Sequence, residues 1–197
     1  MYPFGRMSPA TRGLEHLPAG ESVAKELQYG VPAKTFHWLI VGLLIVQYLI
    51  GWLMPDIHRG MQPGAAMMFH VSFGVTILAL TSVRFLWRLG HPVAAEASLA
   101  PWQRAAAEAV HWLLYLLVFA VTLSGWLFAS TRGWTIRLYG LVDLPMLTAA
   151  NSAVARAIGS WHGKLEWTLL TFVALHVLAA LVHLVVYRDK VVARMMP

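Results

Sequence analysis

The chain contains no cysteine among its 197 residues. Disulfides, iron–sulfur clusters, covalently attached c-type haem and thiol chemistry are therefore excluded. Charged residues are also scarce, at 12% of the chain against 58% hydrophobic residues. An ordinary soluble domain carries about 25% charged residues, so this composition indicates a membrane protein.

Acidic residues are the scarcer of the two charged classes. The chain has 9 Asp and Glu against 15 Lys and Arg, which gives a formal charge of +6. The basic residues are scattered between apolar segments and form no continuous stripe, so we do not expect nucleic-acid binding. In a membrane protein their distribution instead indicates which loops face the cytoplasm.

Four apolar segments are each long enough to cross a bilayer, which requires about 20 residues of helix. They predict an all-α fold, an integral membrane four-helix bundle over residues 33–188, between an N-terminal arm at 1–32 and a tail at 189–197. The four predicted spans are 33–54, 65–87, 102–129 and 161–187.

An even number of spans places both termini on the same side of the membrane. Ten of the 15 Lys and Arg residues lie in the arm, in the 88–101 connection with its flanks, and in the tail. This bias predicts that both termini are cytoplasmic. The arm has no apolar run of the signal-peptide type, so we expect a cytoplasmic extension. The 130–160 connection is the longest, and we expect it to be functional, with a short helix over about 148–158.

Histidines are frequent within the spans. His162 and His176 lie fourteen positions apart on one apolar helix, which places both imidazoles on one face, roughly 21 Å apart. Ionisable side chains inside a membrane are costly and indicate function. Two of them at different depths suggest two cofactors, and haem is the obvious candidate.

Helix direction sorts the histidines by depth. His70 and His162 are expected near the outer side of the membrane, and His37 and His176 near the inner side. Each pair would hold one b-type haem iron from opposite faces, leaving no open position, as in sites that transfer electrons. The alternative is that all four are core histidines that bond to neighbouring helices.

Three further residues lie close to the predicted inner site. His183 follows His176 by seven residues, but its distance of roughly 31 Å from His162 is too long for rapid transfer between haems. His176 is therefore the predicted ligand. His111 is expected to be an interfacial side chain. Arg84 lies on the same face as His70, at the inner level, either as a partner of a haem propionate or as a cytoplasmic anchor.

Short phrases surround these histidines. They are Thr35-Phe36-His37-Trp38-Leu39, Phe69-His70-Val71-Ser72-Phe73-Gly74, Trp161-His162, Leu175-His176 with the following His183, and Arg194-Met195-Met196-Pro197. In combination they resemble the bacterial cytochrome b561 family, and the resemblance extends from about Val31 to Pro197.

The resemblance implies a four-span cytochrome of the bacterial inner membrane that exchanges electrons with ubiquinone or another quinone. It implies two haem b groups bound by His37, His70, His162 and His176. His183, which depth excludes as a ligand, is a candidate proton donor near the quinone. One function in the family is oxidation of superoxide by ubiquinone. The alternative is a membrane-anchor subunit that relays electrons from a partner dehydrogenase to quinone.

Overall fold

Four long apolar helices dominate the computed structural model, which describes residues 29–56, 58, 60–93 and 99–196. All four are long and apolar enough to cross a membrane, which confirms the predicted all-α membrane fold. They are α1 (Val31–Leu53), α2 (Ala65–Gly90), α3 (Pro101–Thr131) and α5 (His162–Val182), with a short α4 (Ala153–Gly159) before the last.

The helix ends follow from local sequence. Pro32 lies in the first turn of α1, where its missing N–H costs nothing, and the helix ends before Pro55. Pro101 begins α3, where the side chain of Gln103 accepts a hydrogen bond from the backbone N–H of Ala100. Gly133 follows the end of α3 at a φ of 71°, a conformation that glycine adopts without strain, and it turns the chain back.

The helices pack in chain order, with α1 on α2, α2 on α3 and α3 on α5. Among the described residues, α1 and α5 have no comparable backbone packing and meet through long side chains. The Tyr48 hydroxyl donates to the backbone carbonyl of Glu166 at 2.8 Å, and Trp52 stacks on Trp167 with ring centres 6.2 Å apart. This arrangement leaves space between α1, α2 and α5.

Apolar side chains both fill the bundle and cover its outside. The interior cluster comes from three helices, whereas large apolar side chains such as Leu53, Leu86 and Leu116 remain exposed. A surface of this kind suits a lipid environment. The buried members of the interior cluster are Ile77, Leu117, Val118 and Leu169.

The long connection between α3 and α5 is ordered against the bundle. It contains an antiparallel pair, β1 (Arg137–Leu138) with β2 (Val142–Asp143), and then α4. The backbone N–H of Tyr139 donates to Ser72 Oγ at 3.0 Å, which docks the hairpin on α2. The short helix expected at about 148–158 is present as α4, which begins and ends later, at Ala153–Gly159.

Two further predictions concern the end of the last helix and the N-terminal arm. The last helix ends as α-helix at Val182 and continues as a π-helical turn, His183–Tyr187. Residues 1–28 of the predicted arm lie outside the described residues, so the division into arm, helical domain and tail stays a prediction. Below, "His70 end" and "His37 end" denote the two ends of the bundle.

Candidate haem sites

His70 on α2 and His162 on α5 face each other at the His70 end. Their ring centres are 6.2 Å apart and their planes are inclined at 84°. A metal held between two imidazoles by bonds of about 2 Å separates the ring centres by roughly 6 Å. The structure therefore brings this predicted pair together at the spacing that axial ligands need.

The second ring nitrogen of a metal-binding histidine normally donates a hydrogen bond. His162 Nδ1 lies 2.9 Å from the backbone carbonyl of Val121. A carbonyl only accepts, so the proton lies on Nδ1 and the Nε2 lone pair is free for a metal. His70 Nδ1 is buried, and within the part of the chain that the structure describes it has no hydrogen-bonding partner.

A cavity of about 230 Å³ lies beside these two rings. Gly125 makes room for one of them, because a Cβ at that position would lie 2.7 Å from His162 Cε1. Among the other lining residues are Gly51, Gly74, Arg132, Trp134 and Glu166. The facing imidazoles, the orphaned nitrogen and the glycine contact all fit a haem at this end.

Arg132 reaches this cavity because of the way α3 ends. Its guanidinium carbon lies 4.8 Å from the centre of the Phe128 ring and 5.1 Å from that of Trp134. The Trp134 indole N–H donates to the backbone carbonyl of Met61 at 3.2 Å, which holds the ring over the cavity. A cation thus lines the cavity that the two histidines border.

Three histidines and one arginine meet at the His37 end. The rings of His111 and His176 have centres 5.4 Å apart, and His37 lies within electrostatic range of His176. Arg84 donates from Nη1 to His37 Nδ1 at 2.8 Å and from Nε to the Tyr115 hydroxyl at 3.1 Å. His37 and His176 therefore lie at the same end of the bundle, and His111 is in ring contact with His176.

The hydrogen bond from Arg84 determines the protonation of His37. A guanidinium only donates, so Nδ1 of neutral His37 accepts and the ring proton lies on Nε2. Binding of iron through Nε2 requires that proton to move to Nδ1, and Arg84 must then leave Nδ1. The imidazoles of this end fit a second haem on that condition.

His183 lies directly after α5, the helix that carries His176, and its ring faces the carboxylate of Asp189. Its Nδ1 is 2.6 Å from Asp189 Oδ2, and both side chains are mostly buried. The other carboxylate oxygen, Oδ1, accepts from the backbone N–H of Val191 at 3.0 Å. Asp189 thus holds the His183 ring in one orientation.

Three residues have a larger part in these sites than the sequence indicated. The interfacial position expected for His111 is wrong, because its ring contacts His176 inside the bundle. Glu166 was not singled out, although an acid one turn after His162 in an apolar helix is itself a signal of function. The sequence indicates Arg132 only as one of the basic residues of the outer connections, which form either a funnel for a small anion or ordinary loop charges. The structure adds that Arg132 lines the cavity at the His70 end.

Comparison with known proteins identifies a family that matches most of the chain. Residues 28–197 match the family model for prokaryotic cytochrome b561. The chain is 31% identical over 171 residues to cytochrome b561 homolog 2 of Escherichia coli (strain K12), covering 86% of this chain and 91% of that protein. It is 32% identical over 172 residues to the probable superoxide oxidase CybB of Yersinia pestis, covering 87% and 94%. Cytochrome b562 of Cereibacter sphaeroides is 29% identical over 171 residues, covering 82% and 90%.

Proposed function

We propose that this chain, which belongs to the prokaryotic cytochrome b561 family, holds two b-type haems and transfers electrons across the membrane to or from quinone. Its role as a membrane b-type cytochrome of electron transfer follows from the family. One observation carries the assignment of haem ligands. The imidazoles of α2 and α5 have ring centres 6.2 Å apart. We assign His70 with His162 to one haem and His37 with His176 to the other.

Bound haem supplies one-electron redox chemistry. The protein would hold the iron of each haem between two imidazoles, and such a site transfers electrons and does not bind oxygen. The carbonyl of Val121 orients His162. At the His37 end, Arg84 is placed to pair with a propionate once it leaves His37.

Quinone chemistry requires protons as well as electrons, and His183 is our candidate donor. Asp189 keeps a proton on His183 Nδ1 at 2.6 Å, which leaves Nε2 to exchange one with a ligand. The π-helical turn that begins at His183 supports this role, because such turns are frequent at functional sites.

Superoxide is the electron donor that the His70 end favours. Arg132 lines the cavity beside His70 and His162, and a cation there attracts a small anion. One relative is named as a probable superoxide oxidase. Not every basic residue of this face contributes, because Arg137 is paired with Asp143 at 2.8 Å. Arg156 and Lys164 are further basic residues of the predicted outer connections, and Arg59 lies outside the described residues.

We place the protein in the bacterial inner membrane, with both termini cytoplasmic, on the strength of its charge distribution. The His70 end is then the outer end and the His37 end the inner one. The alternative function, a haem subunit that anchors a dehydrogenase, would be supported by a stoichiometric partner in the purified protein.

Haem counting on four variants tests the proposal. His70→Ala and His162→Ala should each lose the same haem, and His37→Ala and His176→Ala the other. Haem per chain and the redox titration of the reduced b-type absorption band give the result. His91→Ala is the matched control, because this exposed histidine lies outside both sites. A wild-type chain without haem, or loss of one haem by a mixed pair such as His37 and His162, would contradict the assignment.

A further inference from the structure

We propose that Glu166 is a positioning residue for the haem ligand His70, and that its carboxylate accepts the Nδ1–H of that imidazole directly or through one water. The proposal rests on the assignment of His70 and His162 as axial ligands. It assigns a role to the acid that lies one helical turn after His162 on α5.

The first observation is an orphaned donor. His70 Nδ1 is buried and has no partner among the residues that the structure describes, whereas His162 Nδ1 already has the carbonyl of Val121. If His70 binds iron through Nε2, its Nδ1 carries a proton. A buried N–H without an acceptor costs about 1–3 kcal/mol, so an acceptor is expected nearby.

The second observation places a carboxylate at the same void. A Cβ built on Gly51 would lie 3.8 Å from His70 Nδ1 and 4.0 Å from Glu166 Oε1. Both polar atoms therefore border the space that this glycine leaves empty, and all three residues line one cavity. In the described part of the chain, the Glu166 carboxylate has no other hydrogen-bonding partner.

The position of Glu166 is fixed by its neighbours. Its backbone carbonyl accepts from the Tyr48 hydroxyl at 2.8 Å, and the residue before it in the chain packs against the interior cluster. Since Glu166 lies four residues after His162, both side chains project from the same face of α5. The acid is thus held on the side of the helix that faces the proposed haem.

Gln47 is another acceptor that borders this cavity. Gln47 Oε1 is buried and lacks a partner within the described residues, while its Nε2 donates to the backbone carbonyl of His70 at 3.0 Å. Two orphaned polar atoms in one cavity indicate a bound water. We favour Glu166 as the acceptor that governs His70 because a charged acceptor bonds more strongly than an amide.

The expected consequence is electronic. A carboxylate that accepts the Nδ1–H of an axial imidazole makes that ligand more basic and stabilises oxidised iron over reduced iron. The haem at the His70 end should then have a lower midpoint potential than it would have with a neutral residue at position 166. The other haem, held by His37 and His176, should be unaffected.

Redox titration of the haem-loaded protein in detergent tests this. The midpoint potential of the haem at the His70 end is the one that is absent in His70→Ala. In Glu166→Leu this potential should rise, with haem content unchanged. Glu166→Asp should recover part of the shift. Glu108→Leu is the control, because this exposed acid contacts Trp112 far from the cavity; it should move neither potential.

A second variant keeps the charge and fills the space that His70 Nδ1 and Glu166 Oε1 both border. In Gly51→Ala the new methyl would lie 3.5 Å from His70 Cε1, an ordinary contact, so haem binding should persist. The potential should rise as in Glu166→Leu, and the double variant should shift less than the two single shifts combined. Unchanged potential in both single variants overturns the proposal, as does a shift in Gln47→Leu alone. A wild-type chain without haem would instead refute the assigned ligands themselves.

Discussion

Gly125→Ala should selectively weaken haem binding at the His70 end. The added Cβ would lie 2.7 Å from His162 Cε1 and 3.0 Å from its Nδ1. Carbon atoms in contact prefer about 3.5–4.0 Å, so the ring must retreat by about 1 Å. That movement strains the bond from His162 Nδ1 to Val121 and displaces Nε2 from the position that faces His70.

The size of the effect follows from the cost of overpacking. Forcing an extra methyl into a packed site costs about 1–3 kcal/mol. If that cost falls on the haem-bound form, affinity drops by roughly 5- to 140-fold, since about 1.4 kcal/mol is a factor of ten. The haem at the His37 end should keep its affinity, because Gly125 lies at the opposite end.

Haem loss to an excess of a haem-scavenging protein measures this directly. The b-type absorption band should decay in two phases in Gly125→Ala, with one phase faster than in the wild type. Gly42→Ala is the matched control, because a Cβ at that glycine of α1 meets nothing within 4 Å. Wild-type haem retention in Gly125→Ala would refute the proposed position of the His162 ring in the loaded protein.

Two further predictions concern His111 and Arg132. His111→Phe should keep both haems, as counted by absorption per chain, because His37 and His176 are the assigned ligands; loss of one haem would make His111 a ligand instead. Arg132→Gln should slow reduction of the oxidised haem by a superoxide pulse and flatten the salt dependence of that rate. A wild-type protein that a pulse does not reduce would exclude superoxide as the donor.

The helices themselves were predictable from the sequence. Length and apolarity are local properties, and Pro32, Pro55 and Gly133 mark helix ends through backbone chemistry that needs no tertiary contact. The predicted last span ran to residue 187, whereas the α-helix ends at Val182 and a π-helical turn follows. Hydropathy does not distinguish the two, because it depends on which side chains are apolar and not on the hydrogen-bonding pattern of the backbone.

The histidine pairs were predictable to the level of depth. Alternating helix direction predicts His70 beside His162 and His37 near His176. The structure brings the rings of His70 and His162 to 6.2 Å and puts His37 and His176 at the same end of the bundle. Depth alone did not reveal that His111 shares the second site. The direction of a side chain around its helix depends on which neighbouring helix it faces, and no periodic pattern of one helix contains that information.

The sequence by itself determined that this protein is an apolar four-helix membrane bundle with ionisable rings at two depths, because helix length, hydropathy and spacing along one helix are fixed by the order of residues. Only the tertiary structure decided that Gly125 makes room for His162, and that Glu166 and His70 Nδ1 border one void at Gly51. These contacts join residues far apart in the chain, and they exist only where packing sets the distance between helices.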